Sequence, residues 1–427
     1  MHKIKLDKHI KIKLIISIVL IGLLILSFFF ASSIESFLGL AVKIKKNQIL
    51  DDDIDKGNYF VSYLDVGQGN STFIQLPDDK TILIDGGDIA YGEGIGKFLN
   101  SKGVDVIDYL IATHSDADHI GGLGYVLDNF EVKNIYRPFQ IAGTGTSAET
   151  FEVYEYDELG EIYDKLNQDT SGKAKMSRVT SSVYKNFIFK AYNEKYLVEN
   201  ELVQSEITVF FDGLTIIGEN YKLEFFGPLK RDIEYDLEDY CDRTKGFATK
   251  GYGVSETNEN SAIFLFSCYD DHYLFTGDAS FNTAESGANK SEDDFIESLT
   301  AEEIEIMKQV DVFMLGHHGS KYSSSSQLLN LIIPRFVVIS SGNMYGHPAQ
   351  ETLDRVNKLE SLEEDGIVRT DTSGTVSFTN ISGELKYSLE LDDANKDLMI
   401  SYYELGSIVI ILVIFIIFSI KPRRVKA

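Results

Sequence analysis

Short apolar runs that end in polar residues recur along this chain, and they predict β-strands packed against a core. In the first third of the chain, such runs lie at residues 59–65, 71–76, 81–85 and 109–113. Residues 95–99 predict the start of a helix between the last two strands. Strands and helices mixed in this order predict a layered α/β sandwich.

The second half of the chain repeats this pattern. The predicted elements are a hairpin at residues 210–228, strands at 262–266 and 273–278, a strand that starts at residue 311, a strand at 336–340, a helix at 350–359 and a final strand pair at 366–378. An insertion is predicted between these two halves, at about residues 140–206, where the strand pattern is lost.

The insertion has two parts of unlike composition. Residues 151–166 are acidic, rich in tyrosine and predict a helix. Residues 170–193 contain no acidic residue and interleave Lys and Arg with aromatic residues. This composition fits a grip on a nucleic-acid strand by charge and stacking, but the solvated face of an inserted loop is the commoner explanation.

Long apolar runs near both ends predict two membrane helices. The first run follows five lysines, and the second precedes a basic tail. Because the second run is near the short limit for a membrane span, a buried terminal helix is the alternative interpretation of it. Basic flanks outside both runs predict cytoplasmic termini. The predicted segments are a cytoplasmic N-terminus at 1–13, a membrane anchor at 14–34, a linker at 35–57, an extracytoplasmic domain at 58–390, a linker at 391–404, a second membrane helix at 405–420 and a cytoplasmic tail at 421–427.

The composition narrows the classes of function. Hydrophobic residues make up 44% of the 427 residues, which is enough to bury a large core. Acidic residues outnumber basic ones by 66 to 40, and the net charge of −26 disfavours a role in coating DNA. A phosphate substrate at a metal centre stays compatible, because bound cations dominate the local field. The two cysteines, Cys241 and Cys268, predict no disulfide framework, and neither is assigned to a metal.

Potential metal ligands stand where the apolar runs end. The run at 109–113 leads into four of them within six residues, and three other runs end in further ligands. These residues are Asp85, His114, Asp116, Asp118, His119, Asp278, His317 and His318. A metal site needs ligands from separate elements, because one loop cannot complete a coordination shell. The alternative is a polar loop that happens to hold two histidines.

Residues 114–119 read His-Ser-Asp-Ala-Asp-His, which resembles the HxHxDH signature of the metallo-β-lactamase superfamily, with Asp116 in place of the second histidine. This variant is similar to the hydrolase domain of ComEC-type DNA-uptake proteins. Other segments resemble that domain in the same order: Leu64-Asp-Val-Gly-Gln-Gly-Asn-Ser71, Asn260-Ser261, Thr276-Gly-Asp278, His317-His-Gly-Ser320 and Gly346-His347-Pro348. The resemblance covers residues 59–380 and implies an α/β fold, the four-layer αββα sandwich.

The resemblance also implies a role for each matching residue. The first metal is assigned to His114 and Asp116, the second to Asp118, His119 and His317, and the bridge between them to Asp278. No histidine stands at the third motif, where the sequence has Asn260-Ser261, so the first site is poor in nitrogen and holds its ion weakly. Because oxygen ligands favour harder ions, the two divalent cofactors are expected to be Zn²⁺ or Mn²⁺.

The remaining site residues support these ligands or face the substrate. Asp65 and Asp85 are expected to orient ligand histidines. Asp118 and His347 are the catalytic candidates, and His347 would protonate a leaving group or hold a phosphate oxygen. Substrate contacts are predicted for six polar residues: His318, Ser320, Lys321, Ser323, Asn260 and Ser261.

The resemblance therefore implies a membrane-anchored, metal-dependent hydrolase. Two cations would lower the pKa of a shared water, so that hydroxide is available at neutral pH. The expected partners are a phosphodiester substrate, with extracytoplasmic DNA as the leading choice, and membrane lipid around the two helices. Two alternatives stay open: hydrolysis of a small ester, lactone or phosphocholine-type group at the cell surface, and a non-catalytic module of the envelope.

Overall fold

The computed structural model describes residues 59–138, 181–227, 255–281, 291–342 and 345–390, and all of them belong to the unit Leu50–Glu390. The apolar runs predicted to cross a membrane, the helix predicted at 151–166 and Cys241 lie outside the described residues. In the five described ranges, no helix is both long enough and apolar enough to span a bilayer.

The strands and helices are short, as expected for a layered fold. In chain order, the strands are β1 (Phe60–Tyr63), β2 (Thr72–Gln75), β3 (Thr81–Ile84), β4 (Val106–Ile111), β5 (Glu131–Arg137), β6 (Lys195–Val198), β7 (Glu201–Gln204), β8 (Glu206–Val209), β9 (Thr215–Ile217), β10 (Tyr221–Phe225), β11 (Phe264–Cys268), β12 (Asp271–Phe275), β13 (Val312–Met314), β14 (Phe336–Ile339), β15 (Ile367–Arg369), β16 (Thr375–Ile381) and β17 (Glu384–Glu390). The helices are α1 (Gly92–Ser101), α2 (Ala117–Ile120), α3 (Leu123–Asn129), α4 (Ser182–Asn193), α5 (Ser255–Asn258), α6 (Ser291–Ser298), α7 (Ala301–Met307), α8 (Ser326–Ile332), α9 (Gln350–Val356) and α10 (Thr370–Ser373), with 3₁₀ turns at Ile89–Tyr91 and Gly316–Gly319.

These strands form two large sheets and one hairpin. The first sheet has the order β17-β16-β1-β2-β3-β4-β5-β8, the second has the order β15-β14-β13-β12-β11-β10-β9, and β6 pairs only with β7. Strands β3, β4, β5 and β8 are parallel, as are β12 to β15. The loops that follow parallel strands emerge at one edge of a sheet, which is where α/β folds place their sites.

Three apolar clusters separate four layers. Between the sheets, alternate residues of β1 such as Val61 and Tyr63 pack against Phe264, Phe275 and their neighbours. The outer face of the first sheet packs against α1, α3 and α4, and the outer face of the second packs against α6 to α9. This is the αββα sandwich predicted from the sequence.

The end of the domain differs from the prediction. Instead of one strand pair at residues 366–378, β15 joins β14 in the second sheet, whereas β16 joins β1 and β17 in the first. Apolar periodicity predicted β15 and the start of β16 but not β17, and it carries no information about which partner a strand finds far away in the chain.

The described part of the insertion is mainly structural. Helix α4 buries Tyr184 and Phe187 against the first sheet, and Lys190 pairs with Asp128 on α3. Three of the side chains that the sequence predicted to contact nucleic acid therefore make intramolecular contacts. The rest of the basic stretch, up to residue 180, lies outside the described residues.

Candidate metal centre

The predicted ligands come together at one edge of the sandwich. His114 follows β4 of the first sheet, whereas Asp278 follows β12 and His317 and His318 follow β13 of the second sheet. Glycines let the loops approach each other, because a Cβ on Gly122 would collide with the carbonyl oxygen of Gly86. Separate strand ends thus converge as the sequence predicts.

Asp278 lies at the centre of the cluster and is buried. Its Oδ1 lies 3.1 Å from His119 Nε2, and its Oδ2 lies 3.7 Å from His114 Nε2. The rings of His114 and His119 are 4.0 Å apart, because α2 turns the chain so that both face Asp278. Asp116 Oδ2 lies 3.8 Å from His114 Nε2, at the side assigned to the first metal.

His318 takes the place that the sequence assigned to His317. Its Nε2 lies 3.3 Å from Asp118 Oδ2 and 3.8 Å from Asp278 Oδ2. Its Nδ1 donates to the carbonyl oxygen of Ser340 at 3.0 Å, which holds the ring with Nε2 facing the cluster. We therefore propose His318 as a metal ligand, a role that the sequence analysis did not assign to it.

His317 also faces Asp278, from the solvent side. Its Nε2 lies 3.6 Å from Asp278 Oδ2, its Nδ1 lies 3.5 Å from Asn258 Nδ2, and its side chain is 25% exposed. Both histidines have left-handed backbone angles, with φ of 49° for His317 and 55° for His318, so these neighbours both reach the cluster. The sequence alone does not show that these two adjacent histidines adopt left-handed backbone angles.

The side chains fit divalent cations. Ligand atoms lie within 4.8 Å of one another in two groups, which share His119: His114, His119 and Asp278, and Asp118, His119 and His318. Among the described residues, the buried Nε2 atoms of His114, His119 and His318 and the Oδ1 of Asp278 have no hydrogen-bond partner. Unpaired buried nitrogen and oxygen atoms are costly, and a bound cation removes that cost.

A hydrogen-bond relay fixes the orientation of the ligand rings. Asp85 Oδ2 accepts from His119 Nδ1 at 2.7 Å and from the hydroxyl of Thr113 at 2.7 Å. Since Thr113 gives its proton to Asp85, its oxygen can accept from His114 Nδ1, which lies 3.1 Å away. Both rings then keep a lone pair on Nε2 for a metal. Asp65, the other residue predicted for this role, lies in the turn after β1, where its Oδ1 accepts from the Gly67 amide.

The third motif is hydrogen-bonded to the ligand residues and their neighbours. The buried hydroxyl of Ser261 accepts from the Asp278 amide at 2.9 Å. Asn260, also buried, donates its amide to the carbonyl oxygen of Thr257, and the Thr257 hydroxyl donates to Asp116. Sequence reasoning missed Thr257 and Thr113, although Thr113 directly precedes the first ligand.

The loop after His318 is held from two sides. The fully buried Ser323 hydroxyl donates to the Gly316 carbonyl at 2.7 Å, so it is not the substrate contact that was predicted. Arg355 donates to the carbonyl oxygens of Ser323 and Ser324, and Glu292 accepts from the amides of Ser324 and Ser325. Of the other two predicted contacts, Ser320 is buried and accepts from the Tyr322 amide, whereas Lys321 is exposed.

The electrostatics of the cluster are dominated by burial and mutual attraction. Burial opposes a charge on Asp278, but His119, His317 and His318 lower its pKa well below the usual range. Burial likewise opposes a charge on His119, but Asp278 and Asp85 raise its pKa well above normal. Burial and His119 lower the pKa of His114 to about 3.

The two aspartates of the 114–119 motif differ. Burial raises the pKa of Asp116 to about 6. For Asp118, burial is outweighed by the attraction of His318, whose Nε2 lies 3.3 Å away, and of His119, which lower its pKa to about 2.

His347 lies beside the ligands. Its ring is 5.5 Å from that of His317, and its Nδ1 is buried without a hydrogen-bond partner among the described residues. Burial and the neighbouring His317 and His318 lower the pKa of His347 to about 4. The ring is therefore neutral at pH 7 and suits donation of a hydrogen bond better than release of a proton to a leaving group.

We expect His318→Ala and His317→Ala to differ in metal content. Loss of His318 removes one member of the group with Asp118 and His119, so this variant should retain about one ion fewer per chain after dialysis. His317→Ala should keep that ion, because the second group stays complete. Elemental analysis and the absorption spectrum of the Co²⁺-loaded proteins measure the difference. If His317→Ala lost the ion and His318→Ala kept it, His317 would be the ligand, as assigned from the sequence.

Glu292 gives the domain a pH-dependent stability. Burial raises the pKa of Glu292 from 4.5 to about 7, although the backbone amides that donate to it act in the opposite direction. The contribution of Glu292 to stability is therefore complete below about pH 4.5 and is lost as the pH rises through 7. Glu292→Gln resembles the protonated acid, and its stability relative to wild type should therefore rise by on the order of 3 kcal/mol between about pH 5 and 8. Urea unfolding measures this, with the exposed Glu297→Gln as the control that should show no such trend.

The family comparisons agree with the fold and the ligand pattern. Residues 64–166 match the metallo-beta-lactamase superfamily. ComE operon protein 3 of Bacillus subtilis (strain 168) is 23% identical over 339 residues, which cover 74% of this chain and 32% of that protein. Competence protein ComA of Neisseria gonorrhoeae is 42% identical over 69 residues, or 16% of this chain and 9% of that protein. Recombination protein 2 of Haemophilus influenzae is 23% identical over 327 residues, covering 75% and 29%. The chain thus spans at most about a third of the length of these curated relatives.

Solved structures with some likeness to the chain have low scores. The metallo-beta-lactamase fold protein YhfI from Bacillus subtilis has a TM-score of 0.37 and 10% identity, covering 78% of this chain and 100% of that one. A diphosphatase of the PhnP family has a TM-score of 0.35 and 14% identity, covering 78% and 98%.

Proposed function

Because the chain carries a metallo-β-lactamase domain and is related to ComEC-type competence proteins, we propose that it is a metal-dependent phosphodiesterase that acts on DNA. The observation that carries the chemistry is the pair of ligand groups that share His119. The choice of DNA is supported by the relatives, whose names refer to competence and recombination.

The residues of the chain prepare this site for hydrolysis. Divalent cations held there would supply activation of a water and neutralise the charge that develops on a phosphate. Thr113 and Asp85 hold the ligand rings, and Ser261 holds the backbone of Asp278. We propose that His347, whose ring lies 5.5 Å from that of His317, donates a hydrogen bond to a phosphate oxygen.

The ligand set allows either predicted ion. Three carboxylates and four imidazoles surround the centre if His317 is counted, so oxygen and nitrogen are nearly balanced. Zn²⁺ and Mn²⁺ both accept such mixed ligands. We propose that the ion shared by Asp118, His119 and His318 is the tighter of the two, because these three residues form a compact ligand group, whereas Asp116 belongs to neither group.

We also propose that the enzyme is anchored in a membrane. The apolar runs at residues 14–34 and 405–420 and their basic flanks support two membrane helices with cytoplasmic ends. The hydrolase domain would then meet its DNA outside the membrane. A fusion of alkaline phosphatase to residue 390 tests this topology, since that reporter is active only after export.

A cleavage assay with the full-length protein in detergent tests the function. Single-stranded DNA, double-stranded DNA and bis-p-nitrophenyl phosphate would each be offered with Mn²⁺, Zn²⁺ or EDTA. Metal-dependent cleavage of DNA that is lost in Asp118→Ala and kept in the exposed Asp270→Ala supports a nuclease. Cleavage of the small diester alone would assign the site to a small surface substrate. Silence towards all three substrates, with metal bound, would refute the phosphodiesterase.

A further inference from the structure

Ser340 links the two sheets beside the metal centre. It follows β14, which ends at Ile339, and it is buried, with 1% of its surface exposed. We propose that Ser340 is a positioning residue, whose hydroxyl fixes Asp118 relative to His318 and thereby sets the affinity of their ligand group for a divalent cation. This inference rests on the proposed function, in which the centre binds metal, and it assigns a role to a side chain that lies outside both ligand groups.

The backbone of Ser340 holds the ring of His318. Strands β13 and β14 are parallel neighbours, so the residues that follow them emerge at the same edge of the second sheet. The carbonyl oxygen of Ser340 accepts from His318 Nδ1 at 3.0 Å. Because a carbonyl oxygen can only accept, Nδ1 carries the hydrogen and Nε2 keeps its lone pair, 3.3 Å from Asp118 Oδ2. The position of the His318 ring therefore depends on that of Ser340.

The side chain of Ser340 contacts the loop beside Asp118 in the first sheet. Its hydroxyl donates to the carbonyl oxygen of Gly69, in the loop between β1 and β2, at 2.7 Å. The next residue, Asn70, donates its amide to the carbonyl oxygen of Asp118 at 3.1 Å. This packing is tight, because a Cβ on Gly69 would lie 2.4 Å from the same Asp118 oxygen. One serine therefore contacts the ligand of one sheet and the loop that holds the ligand of the other.

A directional link matters here because the sheets otherwise meet through apolar packing. Strand β14 belongs to the second sheet, whereas β1 and β2 belong to the first. Apolar contacts are non-directional, whereas a hydrogen bond fixes both a distance and an angle. A second bond lies close by, from the Gly342 amide to Gln68 Oε1, but it is longer, at 3.3 Å. Metal ligands must keep their distances from the ion to within about 0.2 Å, so a small shift between the sheets should weaken binding.

The metal affinity of the full-length protein in detergent tests the inference. Zn²⁺ and Mn²⁺ would be the probes, in competition with a chromophoric chelator. Ser340→Ala removes the hydroxyl but keeps the carbonyl oxygen that accepts from His318. Residues that orient a ligand contribute about 10–100-fold to metal affinity, so the dissociation constant of the tighter ion should rise by that factor. Ser340→Thr keeps a hydroxyl and should restore most of the affinity.

Ser205→Ala is the matched control. Ser205 is also buried, and its hydroxyl donates to the carbonyl oxygen of Val132 at 2.6 Å. Val132 lies near the start of β5, whereas His114 follows the carboxyl end of the parallel neighbour β4. Each variant loses one buried hydrogen bond, so urea unfolding in EDTA should show similar losses of stability for the two. Only Ser340→Ala should also lose metal affinity.

A double variant identifies the ligand through which Ser340 acts. Once His318 is replaced by alanine, a further Ser340→Ala should change the metal affinity much less, because the ring that Ser340 positions is gone. A folded Ser340→Ala protein with wild-type metal affinity would overturn the inference, and so would an equal loss of affinity in Ser205→Ala. These measurements need no turnover. A protein that shows the expected affinities but cleaves neither DNA nor the small diester would refute the proposed function and leave the inference standing.

Discussion

Replacement of Asp278 by asparagine is expected to lower kcat/KM by on the order of 10³-fold or more and to reduce the bound metal. Asp278 faces four histidines and belongs to the ligand group with His114 and His119. Groups that only orient a ligand typically contribute about 10–100-fold, so a central ligand should contribute more. Kinetics on the diester substrate, together with elemental analysis, measure both effects.

The asparagine variant keeps the shape of the side chain, so that lost activity is separable from lost structure. Its far-ultraviolet circular dichroism should match that of wild type. Asp270→Ala removes a carboxylate from the exposed turn before β12, and it should leave metal content and rate unchanged. Activity of Asp278→Asn within tenfold of wild type would remove Asp278 from the chemistry.

Phe264→Ala is expected to destabilise the domain by about 3–5 kcal/mol. Phe264 is fully buried between the sheets, with its ring 4.9 Å from that of Phe275 and 5.1 Å from that of Phe225. Removing it leaves a cavity in the middle of this stack, which short strands cannot close by moving. Urea unfolding monitored by circular dichroism gives the loss in the free energy of unfolding.

The control for this substitution is Phe189→Ala on α4. Phe189 is 43% exposed, so part of its side chain is already in contact with water. Its removal should therefore lower the free energy of unfolding far less. Equal losses for the two variants would show that the stack between the sheets is not the source of stability.

Much of the centre was accessible from sequence because its ligands end apolar runs. His114, His119 and Asp278 each follow a buried strand, and a buried strand rarely ends in a metal ligand by accident. The prediction assigned His317 to a metal and His318 to the substrate, but the directions of the two rings depend on left-handed backbone angles and, for His318, on the carbonyl oxygen of Ser340. Contacts between distant residues leave no local pattern.

Glu292 illustrates the same limit. Its helix begins Ser-Glu-Asp-Asp, and three neighbouring acids look alike in sequence. Only tertiary structure buries Glu292 under the loop that it holds, while Asp293 and Asp294 stay partly exposed. Similarly, Ser261 and Ser323 were predicted to touch substrate because hydroxyls do so in many sites. In the structure, both hydroxyls are hydrogen-bonded to backbone groups.

Because the ligands come from both sheets, a complete metal site can form only late in the synthesis and folding of each molecule. Each ligand group needs His119 from the first half of the chain and either Asp278 or His318 from the second. A nascent chain that has not yet emerged past these residues can capture no ion in a complete group, whatever it has already folded. A protein cut between the halves and pulled apart would be silent and not partly active. A complete ligand group thus requires both halves of the domain.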